Sequence, residues 1–137
     1  ENVVGRESFS FLAQHPDWMP VYWSEPAVVY VRRDAYPQLA PLAFRHIHPV
    51  AVQASLAQAL QRARQEPALL GEIFGEIERM HSASPDALRP NALLALVFDA
   101  TGRDAERDDV VRHLLEVAPE SDAAHQLADM FDLSPPD

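Results

Sequence analysis

The chain has 137 residues, enough for one compact domain or a small domain with an appendage, and long enough to bury a core without metals or disulfides. With 11 basic against 21 acidic residues and a net charge of −10, it would be repelled by phosphate backbones and anionic lipid surfaces, which argues against nucleic acid as a partner. The lack of cysteine excludes a disulfide framework, thiolate zinc ligands and a cysteine nucleophile, and leaves the compartment open.

Every basic residue is arginine and alanine is abundant, a bias that fits a GC-rich bacterial coding sequence. No apolar run reaches the roughly 18 to 20 residues that span a bilayer, and no basic-apolar signal peptide opens the chain. It begins at Glu1 rather than methionine, which reads as an excised fragment or a processed product. The acid excess lies after residue 50, where seven arginines face sixteen acids; residues 1–49 are nearly balanced at four against five. Composition therefore divides the chain into 1–49 and 50–137, with different duties expected of each.

In chain order, residues 6–14 (RESFSFLAQ) predict a short helix with Phe9, Leu12 and Ala13 on one side, stopped at His15-Pro16-Asp17. WMPVYWS and PAVVYVRR, on either side of Ser24-Glu25-Pro26, are rich in β-branched and aromatic residues and predict a β-hairpin. Pro20 implies that the first strand lies at an edge or begins after it. Residues 35–49 carry three prolines and read as a packed connector. From there glycine is sparse and apolar residues repeat at helical spacing, predicting helices over about 49–65, 67–81, 90–100, 104–118 and 121–132. Pro49 and Pro67 fit first turns, Gly102 a left-handed cap and Asp104 an N-cap. The fold class expected is mainly α with a small N-terminal α+β part: a β-hairpin unit followed by antiparallel helical hairpins.

Pro85 and Pro119 stand 34 residues apart, the period of the tetratricopeptide helix-turn-helix. With Pro119 as the closing proline, Leu94, Ala95 and Phe98 take the large, small and aromatic positions of a first helix, and Gly102 falls in the turn. Val111 and Leu114 face inward from the second helix. Leu127, Ala128 and Phe131 repeat the spacing of Leu94, Ala95 and Phe98. The region 50–132 thus resembles the tetratricopeptide family, with one good repeat flanked by degenerate ones. Gln61, Arg64 and Arg107 depart from the pattern. The resemblance implies a protein-binding stack whose first helices line a concave groove, pointing Gln58, Arg62, Arg89, Leu96, Asp99, His125 and Asp129 into it. Upstream, Trp18, Val21, Tyr22, Val29, Tyr30, Val31 and Arg32 resemble the segment that follows the last membrane helix of multi-span bacterial membrane glycosyltransferase-like proteins. That implies the extracytoplasmic (periplasmic) tail of a larger envelope protein, with the catalytic part elsewhere.

The candidates for chemistry are weak. His46 and His48 could both ligate a metal from one side of a strand, but a third ligand is missing nearby, and connector histidines are the better reading. Glu78 and His81 form half of a di-iron motif without its second copy. No G-x-S-x-G and no glycine-rich phosphate loop occurs. Gly71 and Gly75, one turn apart, read as permitting close helix packing. Trp23, beside the hairpin turn, is the candidate aromatic contact for a carbohydrate or peptide, against the more usual role of a strand aromatic in the core. The expectation is a non-catalytic interaction or assembly module without catalytic, cofactor-binding or metal residues. Its partner would be a protein, a peptide or a neighbouring domain of the same chain. A substrate-contacting lobe of a membrane glycosyltransferase-like enzyme and a homodimerisation domain are the alternatives.

Overall fold

The computed structural model describes residues 15–24, 27–49 and 51–133. The helix expected over residues 6–14, the tip of the hairpin turn and the last four residues lie outside them. Within the described residues the chain is mainly helical, with one antiparallel β-hairpin followed by a short 3-10 segment and five α-helices. It forms two compact units that divide between Ala83 and Ser84. The compositional break at residue 49 is therefore not the break in packing: two helices belong with the hairpin, because hydrogen bonds and apolar contacts tie them to it.

In the first unit, β1 (Trp18–Trp23) pairs with β2 (Val28–Arg32), with Trp18 opposite Arg32 and Trp23 opposite Val28. The register slips between Pro20 and Tyr22. Pro20 lies inside the strand. Its missing N–H costs nothing there, because its carbonyl accepts from Phe44 N at 2.8 Å on the edge away from β2. Met19 and Val31, opposite one another, bury with Ala43 under Tyr36, Leu39 and Ala40, so the 3-10 segment Pro37–Leu42 covers that face. Helix α1 (Val52–Gln65) presents a narrow stripe of Ser55, Leu56, Ala59 and Ala63. Helix α2 (Leu69–Ala83), packed against α1, buries Ile73, Glu76, Ile77 and Met80 at intervals of three and four. Both helices begin two or three residues after the prolines expected in their first turns, and Pro67 sits in the turn between them.

The second unit is three helices: α3 (Leu88–Ala100), α4 (Asp104–Val117) and α5 (Asp122–Met130). Three residues join α3 to α4, which forces the two to lie side by side and antiparallel. Ala95, Val111, Leu114, Leu115, Ala124, Leu127 and Ala128 form its core, and Leu94 is also buried. Phe98 is only half-buried, with the Arg103 guanidinium 4.6 Å above its ring. Gly102 takes φ +75°, Arg103 N donates to Phe98 O at 2.8 Å and Gly102 N to Asp99 O at 3.2 Å, a Schellman cap. The end of α5 repeats it with Asp132 at φ 56°, as Leu133 N donates to Ala128 O. Asp104 does not cap α4. It is the first helical residue, and its carboxylate is drawn to Arg107 instead. Ser121 does cap α5, accepting from Ala124 N.

A Cβ on Gly102 would meet nothing within 4 Å, so Gly102→Ala tests backbone strain alone. It should lower unfolding free energy by about 1 kcal/mol in urea titrations, with an unchanged circular dichroism spectrum. Burial pushes the Tyr30 phenol from 10.0 up to about 12. Below pH 10 it is protonated in both folded and unfolded chains; above that only the unfolded chain ionises. Its contribution is thus present below pH 10 and lost as pH rises toward 12. Between about pH 9 and about pH 11 the wild type should therefore lose more stability than Tyr30→Phe.

Candidate functional site

The most distinctive polar arrangement lies where α2 meets the connector. Glu76 falls inside the apolar stripe of α2, between Ile73 and Ile77, and is 5% exposed. Its Oε1 accepts from His46 N at 3.0 Å and Ile47 N at 3.1 Å, and its Oε2 from Arg45 N at 3.0 Å. Three successive amides of a chain running neither as helix nor strand thus share one carboxylate, the geometry in which a buried charge is compensated by fixed dipoles. One turn before, Glu72 Oε1 lies 3.1 Å from His46 Nε2. One turn after, Arg79 donates to the Leu42 carbonyl and lays its guanidinium 4.2 Å over the Phe44 ring. Phe44 in turn meets Trp23 edge-on, with centroids 5.8 Å apart. Burial lowers the Arg79 pKa from the ordinary arginine value, and the Glu76 charge pulls it partly back.

Beside this clasp is an open hollow of about 610 Å³, lined by Pro41, Leu42, Arg45, Glu72, Gly75 and Arg79 among others. Gly75 is exposed and a Cβ there would meet nothing within 4 Å. The glycines of α2 therefore do not mediate close helix packing. They sit off the Ile73–Ile77 stripe, and Gly75 leaves one wall of the hollow bare. Leu42, 44% exposed, forms the apolar rim. The wall cations Arg45 and Arg79 donate to the main-chain carbonyls of Ala40 and Leu42, and neither makes an ion pair among the described residues. Arg32, Arg103, Arg107 and Arg112 each pair with a carboxylate, whereas Arg33, Arg62 and Arg64, like the two wall arginines, form no ion pair among the described residues.

The residues expected to line one groove fall in both units. Gln58 and Arg62 lie on the exposed side of α1, where with Gln61 and Gln65 they edge a shallower hollow of about 360 Å³. Arg89, Asp99 and Asp129 are exposed on the second unit, and Leu96 and His125 are half-buried there. Asp99 is engaged by Arg107 at 2.7 Å, and His125 Nε2 lies 2.7 Å from the Pro119 carbonyl. Trp23 is 2% exposed; its ring belongs to the core contact with Phe44 and offers no face to a ligand. His46 and His48 do not converge, since His46 is buried toward Glu72 while His48 is exposed and its amide donates to Ser55 Oγ. Among the described residues no group of three histidine or acidic side chains is placed to hold a metal ion.

Sequence reasoning missed Glu76, Arg79 and Arg45. The available signal was an acid at the centre of an otherwise apolar helical stripe, which signals a buried partner set even though the partner is unspecified. It also took Arg107 as a departure from the repeat. Arg107 reaches Asp99, Asp104 and Asp108 and lies 4.7 Å over Phe131, and the hydrogen bonds it donates to Asp108 and Asp99 raise its pKa. No protein-family model, curated protein or solved structure matches this chain.

Removing the shared acceptor should be costly. Glu76→Ala is expected to destabilise the first unit by about 3 kcal/mol or more, because three amides lose a charged acceptor. In hydrogen exchange, the Arg45, His46 and Ile47 amides should be protected in the wild type and exchange rapidly in the variant.

Proposed function

We propose that this chain is a non-catalytic interaction or assembly module, through which a larger bacterial envelope protein docks a protein segment or a neighbouring domain. The observation that carries this reading is the open hollow on α2, a concave and mainly apolar surface with exposed Leu42 and two guanidinium groups on its wall. The polar groups of chemical interest support it by their occupation. Glu76 holds three amides, His46 meets Glu72, His113 Nε2 lies 2.9 Å from Asp86, and His125 meets the Pro119 carbonyl. The resemblance of the unit between Pro85 and Pro119 to tetratricopeptide repeats adds to the same reading, since that family binds proteins.

A library of random peptides selected on the 137-residue chain tests it. Leucine at position 75 fills the hollow from an exposed helical site and improves helix propensity, so Gly75→Leu should remain folded. Selected peptides should bind the wild type and lose at least about tenfold in affinity for this variant. Selection that yields no such peptide, or only peptides indifferent to Gly75→Leu, would sink the docking reading. The envelope placement rests on the resemblance of residues 11–33. A compartment-sensitive reporter joined to the full-length gene product should be active on the extracytoplasmic side, and activity on the cytoplasmic side would overturn that placement.

A further inference from the structure

Resting on the docking reading, we infer that the occupant of the α2 hollow is an extended protein segment carrying an apolar side chain flanked by a carboxylate. Shape supplies the first half of that description. Pro41, Leu42 and Ala43 form an apolar wall, and the absent side chain at Gly75 leaves room beside it. An apolar side chain laid there would cover Leu42, which is 44% exposed.

Charge supplies the second half. The hollow has two acids and two arginines on its lining, but the two kinds are not equally available. Glu76 is turned inward and satisfied by three backbone amides, and Glu72 faces the His46 ring. Arg45 and Arg79 donate to main-chain carbonyls, and Arg79 also lies over the Phe44 ring and feels the Glu76 charge. A guanidinium presents five N–H donors, so each keeps donors for a carboxylate, in the forked geometry that arginine favours. Stacking on Phe44 fixes the Arg79 plane in advance, which reduces the ordering cost of forming that pair. Neither guanidinium forms an ion pair among the described residues, although the Glu76 charge acts on Arg79, so a carboxylate brought into the hollow from outside can pair with both. A lysine- or arginine-bearing segment would bring like charge to both.

The test uses three labelled heptapeptides and fluorescence anisotropy: alternating leucine and glutamate, alternating leucine and lysine, and alternating serine and glutamate. The wild-type chain should bind the leucine-glutamate peptide most tightly. Gly75→Leu and Arg45→Glu should each weaken that binding at least about tenfold, and Gly71→Leu, off the hollow, should leave it unchanged. The Arg45 side chain is exposed and its amide stays on Glu76, so Arg45→Glu should keep the fold, which thermal melting checks. Equal binding of the serine-glutamate peptide would reduce the effect to charge alone and overturn the inference. So would leucine-glutamate binding that survives both hollow substitutions, or no binding of that peptide at all. Preference for the leucine-lysine peptide, lost in Gly75→Leu, would overturn the partner chemistry while leaving the docking reading intact.

Discussion

One buried carboxylate organises the first unit. The connector between the hairpin and the helices has no regular ladder to satisfy the amides of residues 45–47, and burying them unpaired would cost more than the segment's apolar contacts return. Glu76 supplies acceptors for all three from a rigid helix. Because the helix is rigid, the same contact fixes the rest of its face. Glu72 comes to His46, and Arg79 comes to Leu42 and Phe44. Phe44 then hooks its amide onto Pro20 and its ring onto Trp23, which joins helix to hairpin. The hollow follows from this arrangement, since the connector is held beside α2 at Gly75, the residue that cannot fill the space between them.

The second unit is held on a different principle. Its interior is apolar and built from small residues against large ones, with Ala95, Ala124 and Ala128 beside Val111, Leu114, Leu115 and Leu127. Polar groups work at the ends of its helices. The left-handed residues Gly102 and Asp132 close α3 and α5 in the same way, and arginines cover the aromatic rings near both ends, Arg103 over Phe98 and Arg107 over Phe131. The 33-residue correspondence of Leu94, Ala95 and Phe98 with Leu127, Ala128 and Phe131 thus extends from sequence spacing to burial, with two buried residues and a half-buried ring in each case. Asn91 performs the same service for the turn before α3, donating to the carbonyls of Pro85 and Ala87.

What was legible in the sequence was local. The alternating aromatic and β-branched runs gave the hairpin, helical periodicity gave all five helices to within a few residues, and Gly102 gave its own left-handed turn. Of the apolar positions readable as core, Ile73, Ile77, Met80, Leu94, Ala95, Val111 and Leu114 are buried, because burial follows the period of the element that carries them, whereas Leu60 and Phe98 are only half-buried. Polar residues were less readable, because a carboxylate has no preferred partner in sequence. Asp104 had the position of a cap and became a partner of Arg107, and Arg107 had the position of a small residue and became the centre of an ion network.

The sequence by itself determined the net charge of −10 and, since each is set by residues within one or two helical turns of one another, the mainly helical class, the hairpin ahead of the helices and the packing stripes. Only the tertiary structure decided that the chain divides at residue 83 rather than 49, that Trp23 is core, and that Glu76 holds the connector. It alone showed that Arg45 and Arg79 line a hollow and form no ion pair among the described residues. Those features join residues from 21 to 37 positions apart, and at that distance charge and shape complementarity depend on how the chain has folded back, which no local pattern records.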